Sequence, residues 1–201
     1  YMCLQNKLTA RLLFVTAFSY YFYYKSSGFY FGLLALVTVS DYFLANLIHR
    51  HRQRKALGKL FVTLSLIIDL GLLGYFKYTN FFIDNLRMLT GDAAFRPVSL
   101  ALPLGLSFYT FRTISYVVDV FRRRIDPAQS FLDYLFFLSF FPCLAAGPIV
   151  RADHFMPQLT AEALRQPVDR ARIYGGFFTV LMGVIKKAVI ADYLAQYSNI
   201  A

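Results

Sequence analysis

Six charged side chains stand inside or at the ends of apolar stretches of this sequence: Asp41, Asp69, Arg112, Asp119, Lys186 and Lys187. A charge at the centre of a bilayer costs about 2.5–3.5 kcal/mol on insertion scales, so such residues face a bundle interior, an aqueous path or the interface. Their placement suggests a polar passage through apolar helices. Arg112 and Asp119 are seven residues apart, two helical turns, and so share a face, where an interhelical ion pair would account for them as well as chemistry would. Asp119, beside the run Arg122-Arg123-Arg124, is expected to lie near a helix end and reach the interface. Between Leu102 and Phe111, Pro103 and Gly105 open the backbone. Ser107, Tyr109, Thr110, Thr113 and Ser115 follow with hydroxyls, groups that also serve transmembrane helices as packing contacts.

No histidine stands out as a general base. His49 and His51 lie in the basic run H-R-H-R-Q-R-K, which reads as a loop touching lipid headgroups, and His154 follows Arg151 and Asp153 in a loop past Gly147-Pro148. The sequence holds no G-x-G-x-x-G, phosphate-binding G-K-[ST], H-E-x-x-H or G-x-S-x-G. Cys3 and Cys143 form no C-x-x-C and read as packing residues, and no metal site is expected.

The elements that must position these residues are membrane helices. Of 201 residues, 58% are hydrophobic and 16% charged, and the mean hydropathy is +0.49, which argues against a disordered chain, a disulfide scaffold or a soluble enzyme. In a soluble protein the net charge of +10 would suggest nucleic acid; here the loops of a membrane protein explain it, and no nucleic-acid partner is expected. Five segments read as candidate spans: Leu8 to Tyr24, Phe29 to Ile48, Leu60 to Phe76 with a run on to Leu86, Leu100 to Phe121, and Ile173 to Leu194. No alternation of period two suggests a barrel, so the fold class expected is all-α, polytopic and transmembrane.

A sixth apolar segment, Phe131 to Ala146, decides the topology. If it crosses, Lys and Arg divide eight against eight between the two sides; if it returns to the face it left, they divide twelve against four, as the cytoplasmic enrichment of basic loops requires. It ends in Phe140-Phe141-Pro142 with Gly147-Pro148 behind, residues that interrupt a helix. The stretch 131–150 is therefore read as re-entrant. The basic side holds Arg50 to Lys59, Arg122 to Arg124, Arg151, Arg165, Arg170 and Arg172, and the other side Lys25, Lys77, Arg87 and Arg96.

Six ordered pieces of the chain resemble the membrane-bound O-acyltransferase family in its bacterial, alginate O-acetyltransferase-like branch. They are G-L-L-G-Y-F-K-Y-T-N-F-F (71–82), L-P-L-G-L-S-F-Y-T-F (102–111), S-Y-V-V-D-V-F-R (115–122), F-L-D-Y-L-F-F-L-S-F-F-P (131–142), A-G-P-I-V-R (146–151) and V-I-K-K-A-V-I-A-D (184–192). The resemblance implies tilted and broken helices around a funnel, with residues 1–201 forming the N-terminal part of one such transmembrane domain. It implies acyl transfer, most simply of acetyl, from a cytoplasmic thioester to hydroxyls of an extracytoplasmic polysaccharide, across a multi-pass protein of the bacterial inner membrane. Arg112 departs toward the similar D-alanyl transferase branch acting on teichoic acids, where the alginate-like proteins more usually carry an amide, so the acceptor stays open.

The family's presumed base is a histidine of a Trp-His pair downstream of the K-K-x-x-x-A-D segment. This sequence has no Trp and opens on Tyr1, so it reads as a piece of a longer protein that is inactive alone, with no catalytic residue among its own. Donor-binding or funnel-lining roles fall to Ser107, Tyr109, Arg112, Pro142, Gly147, Pro148 and Arg151, with Lys186 and Lys187 opposite, where an anionic donor would be attracted. No tightly bound cofactor is implied. The donor, acetyl-CoA or an acyl carrier, is a substrate, and the partners implied are membrane lipids, an extracytoplasmic acyl-transfer protein and a polysaccharide assembly complex. A transporter or scramblase module and a structural scaffold subunit are the competing readings, although no internal repeat supports a transporter.

Overall fold

Long apolar runs leave the backbone only its own helical hydrogen bonds in lipid. In the computed structural model, which describes residues 8–90, 97–144, 147, 149–159 and 170–198, every regular element among the described residues is a helix. They fall into two units, Tyr1–Leu164 and Arg165–Ala201.

In the first unit, α1 (Leu8–Ser27) and α2 (Phe31–Arg50) are joined by the 3-10 turn Gly28–Tyr30. Gly28 has φ +59°, a left-handed corner that disfavours a side chain. There the chain doubles back, and Tyr20 and Tyr23 of α1 pack with Leu34 and Val37 of α2. Helix α3 (Lys55–Thr90) runs antiparallel to α2, with ring contacts from His51 to Phe61 at one end and from Tyr30 to Phe76 toward the other. Helix α4 (Leu106–Phe121) is antiparallel to α3, its Phe121 ring lying where a Cβ on Gly58 would come within 3.1 Å. Gly58 thus lets α3 and α4 close together beside the basic loops.

After α4 the chain turns through Ala128, whose amide donates to the Tyr116 hydroxyl (2.9 Å), and Ser130 caps α5 (Phe131–Ser139) by accepting from Leu132 N (3.1 Å). Helix α5 begins beside Tyr42 and Tyr116 and reaches the level of Leu34 and Tyr109 at Leu138. It stops at Phe140, and the single turn α6 (Phe141–Leu144) carries Pro142 in its first turn, where a missing N–H costs nothing. The chain then returns through Gly147 to α7 (Ala152–Phe155) and the 3-10 turn Met156–Leu159. A Cβ on Gly147 would lie 2.5 Å from Cys143 Cα and 2.8 Å from the Pro142 carbonyl oxygen, so only glycine permits this fold-back.

The second unit contains α8 (Arg170–Ile185), a π-helical turn at Lys186–Ala191 and α9 (Asp192–Ser198). Three stretches among the described residues are long and apolar enough to cross a membrane: Leu8–Arg50, Lys55–Thr90 and Arg170–Ala195. The first contains both N-terminal spans read from the sequence. The segment expected to span from Leu100 is helical only from Leu106, because Gly105 at φ +68° sets the corner before it. At 36 residues, about 54 Å at 1.5 Å per residue, α3 exceeds the span expected and the hydrocarbon layer.

The distribution of side chains in the first unit is that of a protein in lipid. Asp41, Asp69, Ser65 and Thr113 have no exposure at all, whereas Phe43, Leu60 and Ile67 are about 60% exposed. Polar groups face inward between helices and large apolar groups face out.

Candidate functional site

Of the polar residues on the buried side of helix α4, Arg112, Thr113 and Asp119 each meet a different neighbour. Nearest its N-terminus, Arg112 is buried, with its guanidinium 4.3 Å above the Phe137 ring of α5 and 5.5 Å from that of Phe155 in α7. None of its three side-chain nitrogens has a hydrogen-bond acceptor among the described residues. Each aromatic face supplies about 2 kcal/mol of attraction in such a desolvated site, against a cost of several kcal/mol for burying the charge.

One residue further on, Thr113 Oγ1 donates to Asp69 Oδ2 of α3 (2.8 Å). On the other side Ser65 Oγ of α3 donates to Asp41 Oδ1 of α2 (2.6 Å). The remaining oxygens of Asp41 and Asp69 have no hydrogen-bond partner among the described residues. A carboxyl kept inside an apolar bundle needs hydrogen-bond partners, here the two hydroxyls. The four residues therefore form a polar clasp through α2, α3 and α4.

In the last turn of α4, Asp119 receives Arg151 Nη2 on both oxygens, at 3.1 and 2.8 Å, and Arg124 Nη1 at 3.5 Å. This corrects the expectation that Asp119 reaches the interface, since its side chain is 5% exposed beneath two arginines. Its partner Arg151 lies outside α4, as an ion pair between elements requires, while Arg112 on the same face lies among aromatic rings. The hydrogen bonds Arg151 donates to Asp119, helped by the charge of Asp153, hold its guanidinium above its ordinary range. Arg151 is half-exposed and keeps donors for a further acceptor.

The same end of the bundle gathers the basic loops. Residues 48–59 and 120–126 enclose a cavity of about 260 Å³. A second, of about 700 Å³, lies between the 124–133 turn and residues 152–159; it is lined by Asp126, Asp133 and Asp153, with Arg124 as the one basic residue. No group of three or more His, Cys, Asp or Glu able to hold a metal ion occurs among the described residues.

Of the other residues singled out in the sequence, Tyr109 is buried against Leu34 and Leu138, Ser107 is half-buried on the first turn of α4, and Pro142 is exposed. Pro148 lies outside the described residues. Lys186 and Lys187 open the π-turn of the second unit, where Lys187 Nζ bonds Asp192 Oδ2 at 2.9 Å. His49 Nδ1 lies 3.5 Å from Asp126, and His154 is exposed in α7. Sequence reasoning missed the clasp and the basic cavity. Ser65, one polar residue on the interior face of α3, was the available signal for the first.

An apolar exterior, an acid clasp inside and a helix broken where the chain returns beside Arg151 define a helical membrane protein with a polar interior. No family model matches the chain, and no solved structure matches it. Among curated proteins it is 35% identical over 97% of its length to the peptidoglycan O-acetyltransferase of Helicobacter pylori. It is 35% identical over 94% to the probable alginate O-acetylase AlgI of Azotobacter vinelandii, and 33% over 94% to that of Pseudomonas aeruginosa. The chain belongs with these O-acetyltransferases, in the membrane-bound O-acyltransferase family, and spans 41%, 37% and 36% of their respective lengths.

Proposed function

We propose that the chain forms the donor-facing part of a multi-pass O-acetyltransferase of the bacterial inner membrane. The full protein moves acetyl from a cytoplasmic thioester, acetyl-CoA or an acyl carrier, to hydroxyls of an extracytoplasmic polysaccharide. In that reaction an acceptor oxygen attacks the thioester carbonyl, the C–S bond breaks and the thiol departs, while a base takes the hydroxyl proton. That base lies outside these residues. The observation that carries the reading is the 35% identity to O-acetyltransferases across nearly the whole chain.

Stretch 131–150 is then re-entrant: α5 starts beside the C-terminal half of α4, and Arg151 comes back to Asp119 on that helix's last turn. Arg151 is fixed by Asp119 at the cytoplasmic end, and its free donors meet the anionic part of the donor. An extracytoplasmic protein receives or presents the acetyl acceptor, within a polysaccharide assembly complex. In the full-length protein, Arg151→Ala is expected to lower acetyl transfer from labelled acetyl thioester at least tenfold, chiefly through a raised donor KM, with membrane insertion intact. Normal transfer by a correctly inserted variant would refute the role.

A further inference from the structure

The cavity at the basic end has the chemistry of an anion site that neither the Arg151 pairing nor the family matches assign. Its walls carry six Lys or Arg side chains (Arg52, Arg54, Lys55, Lys59, Arg122 and Arg123) against one acid, Asp126, which lies beside His49. No acidic side chain pairs with Arg52, Arg54, Lys55, Lys59 or Arg122 among the described residues. The 700 Å³ cavity nearby has the opposite balance, with three Asp and one Arg. Ile48, Val120, Phe121 and Ile125 give the basic cavity an apolar wall as well.

The enclosing loops are held together at a conformational cost. Arg123 follows α4 with φ +60°, a left-handed position that glycine or asparagine fills at less cost, and its Nη2 donates to the Arg52 carbonyl oxygen at 2.6 Å. An arginine there strains the backbone and fastens the turn after α4 to the turn after α2. The two cationic loops, which repel each other, are thereby kept around one space. Asp119, which holds Arg151, sits on the same last turn of α4 as Val120 and Phe121 of the cavity wall.

We infer that this cavity binds an organic phosphate of at least two negative charges, seated between the 52–59 and 122–123 cations with its less polar part on Val120, Phe121 and Ile125. Two sources share that chemistry: the phosphates of a soluble nucleotide, as on a thioester donor, and the headgroup of an anionic lipid. The inference rests on the cavity and not on acetyl transfer.

The test uses the full-length protein purified in neutral detergent. Binding of adenosine 3′,5′-bisphosphate is measured by equilibrium dialysis, and retention of phosphatidylglycerol against phosphatidylcholine by native mass spectrometry. The triple variant Arg52→Gln/Lys59→Gln/Arg122→Gln is compared with Lys25→Gln/Lys77→Gln/Arg87→Gln, which removes the same charge at the other end of the helices. The expected result is saturable binding of one probe, weakened at least tenfold in the first variant and less than twofold in the second. In unaltered protein, millimolar pyrophosphate is expected to displace the probe, a readout that needs no variant. Nucleotide binding identifies a soluble ligand and selective lipid retention a membrane one; either supports the site. Binding of neither probe, no displacement by pyrophosphate, or equal weakening in both variants overturns it. Acetyl transfer is assayed separately, so binding without transfer refutes only the enzymatic reading, and transfer without binding refutes only this site.

Discussion

Replacing Arg112 with Met in the full-length protein is expected to raise its stability while lowering acetyl transfer at least about a hundredfold, the scale of losing one preorganised donor. The two effects have opposite signs for one reason. The guanidinium is 2% exposed and has no acceptor among the described residues, so the fold carries a buried charge offset only by the Phe137 and Phe155 faces. An unsatisfied buried polar group costs about 1–3 kcal/mol, and more when charged. Met keeps the apolar stem between the rings and removes that cost. A charge held at such expense is characteristic of a working site. Thermal unfolding in detergent and transfer assays on the same preparation check it. A Met variant that is less stable yet fully active would show that Arg112 is structural.

The acid clasp predicts a contrast between two substitutions at one position. Asp41→Asn is expected to unfold within about 1 kcal/mol of the unaltered protein, because the amide oxygen still accepts from Ser65 Oγ. Asp41→Ala is expected to lose about 2–4 kcal/mol, since it opens a cavity and leaves the Ser65 hydroxyl without its acceptor inside the bundle. The equivalent pair at Asp69 behaves alike, through Thr113. If Asn proves as damaging as Ala, the hydrogen bond from Ser65 is not what position 41 supplies.

Much of this architecture was legible in the sequence because lipid leaves so few solutions. Apolar runs could only be helices, and Pro142 with Gly147 marked the break in the sixth segment that the structure puts at Phe140. Helix ends were less legible: Leu100 to Gly105 is as apolar as a span, yet the left-handed Gly105 keeps it out of α4. Within the site, Asp41, Asp69, Arg112 and Asp119 stood out as charges in apolar surroundings, but their partners did not. Periodicity reports which face of its own helix a residue occupies and nothing of the helix opposite. Hence the face that Asp119 shares with Arg112 suited an interhelical ion pair, but nothing pointed to its partner Arg151, 32 residues on. The basic cavity escaped notice for the same reason. The runs at 49–59 and 122–124 were visible separately, and only the parallel course of α2 and α4 brings their ends together.

The most direct measurement uses vesicles of defined orientation that carry the full-length protein, with labelled acetyl thioester supplied to one face at a time. Label is expected on polysaccharide at the far side only when the thioester is given to the face bearing the 49–59 and 122–124 loops and Arg151. Transfer only from the opposite face, or none from either by correctly inserted protein, would contradict the account.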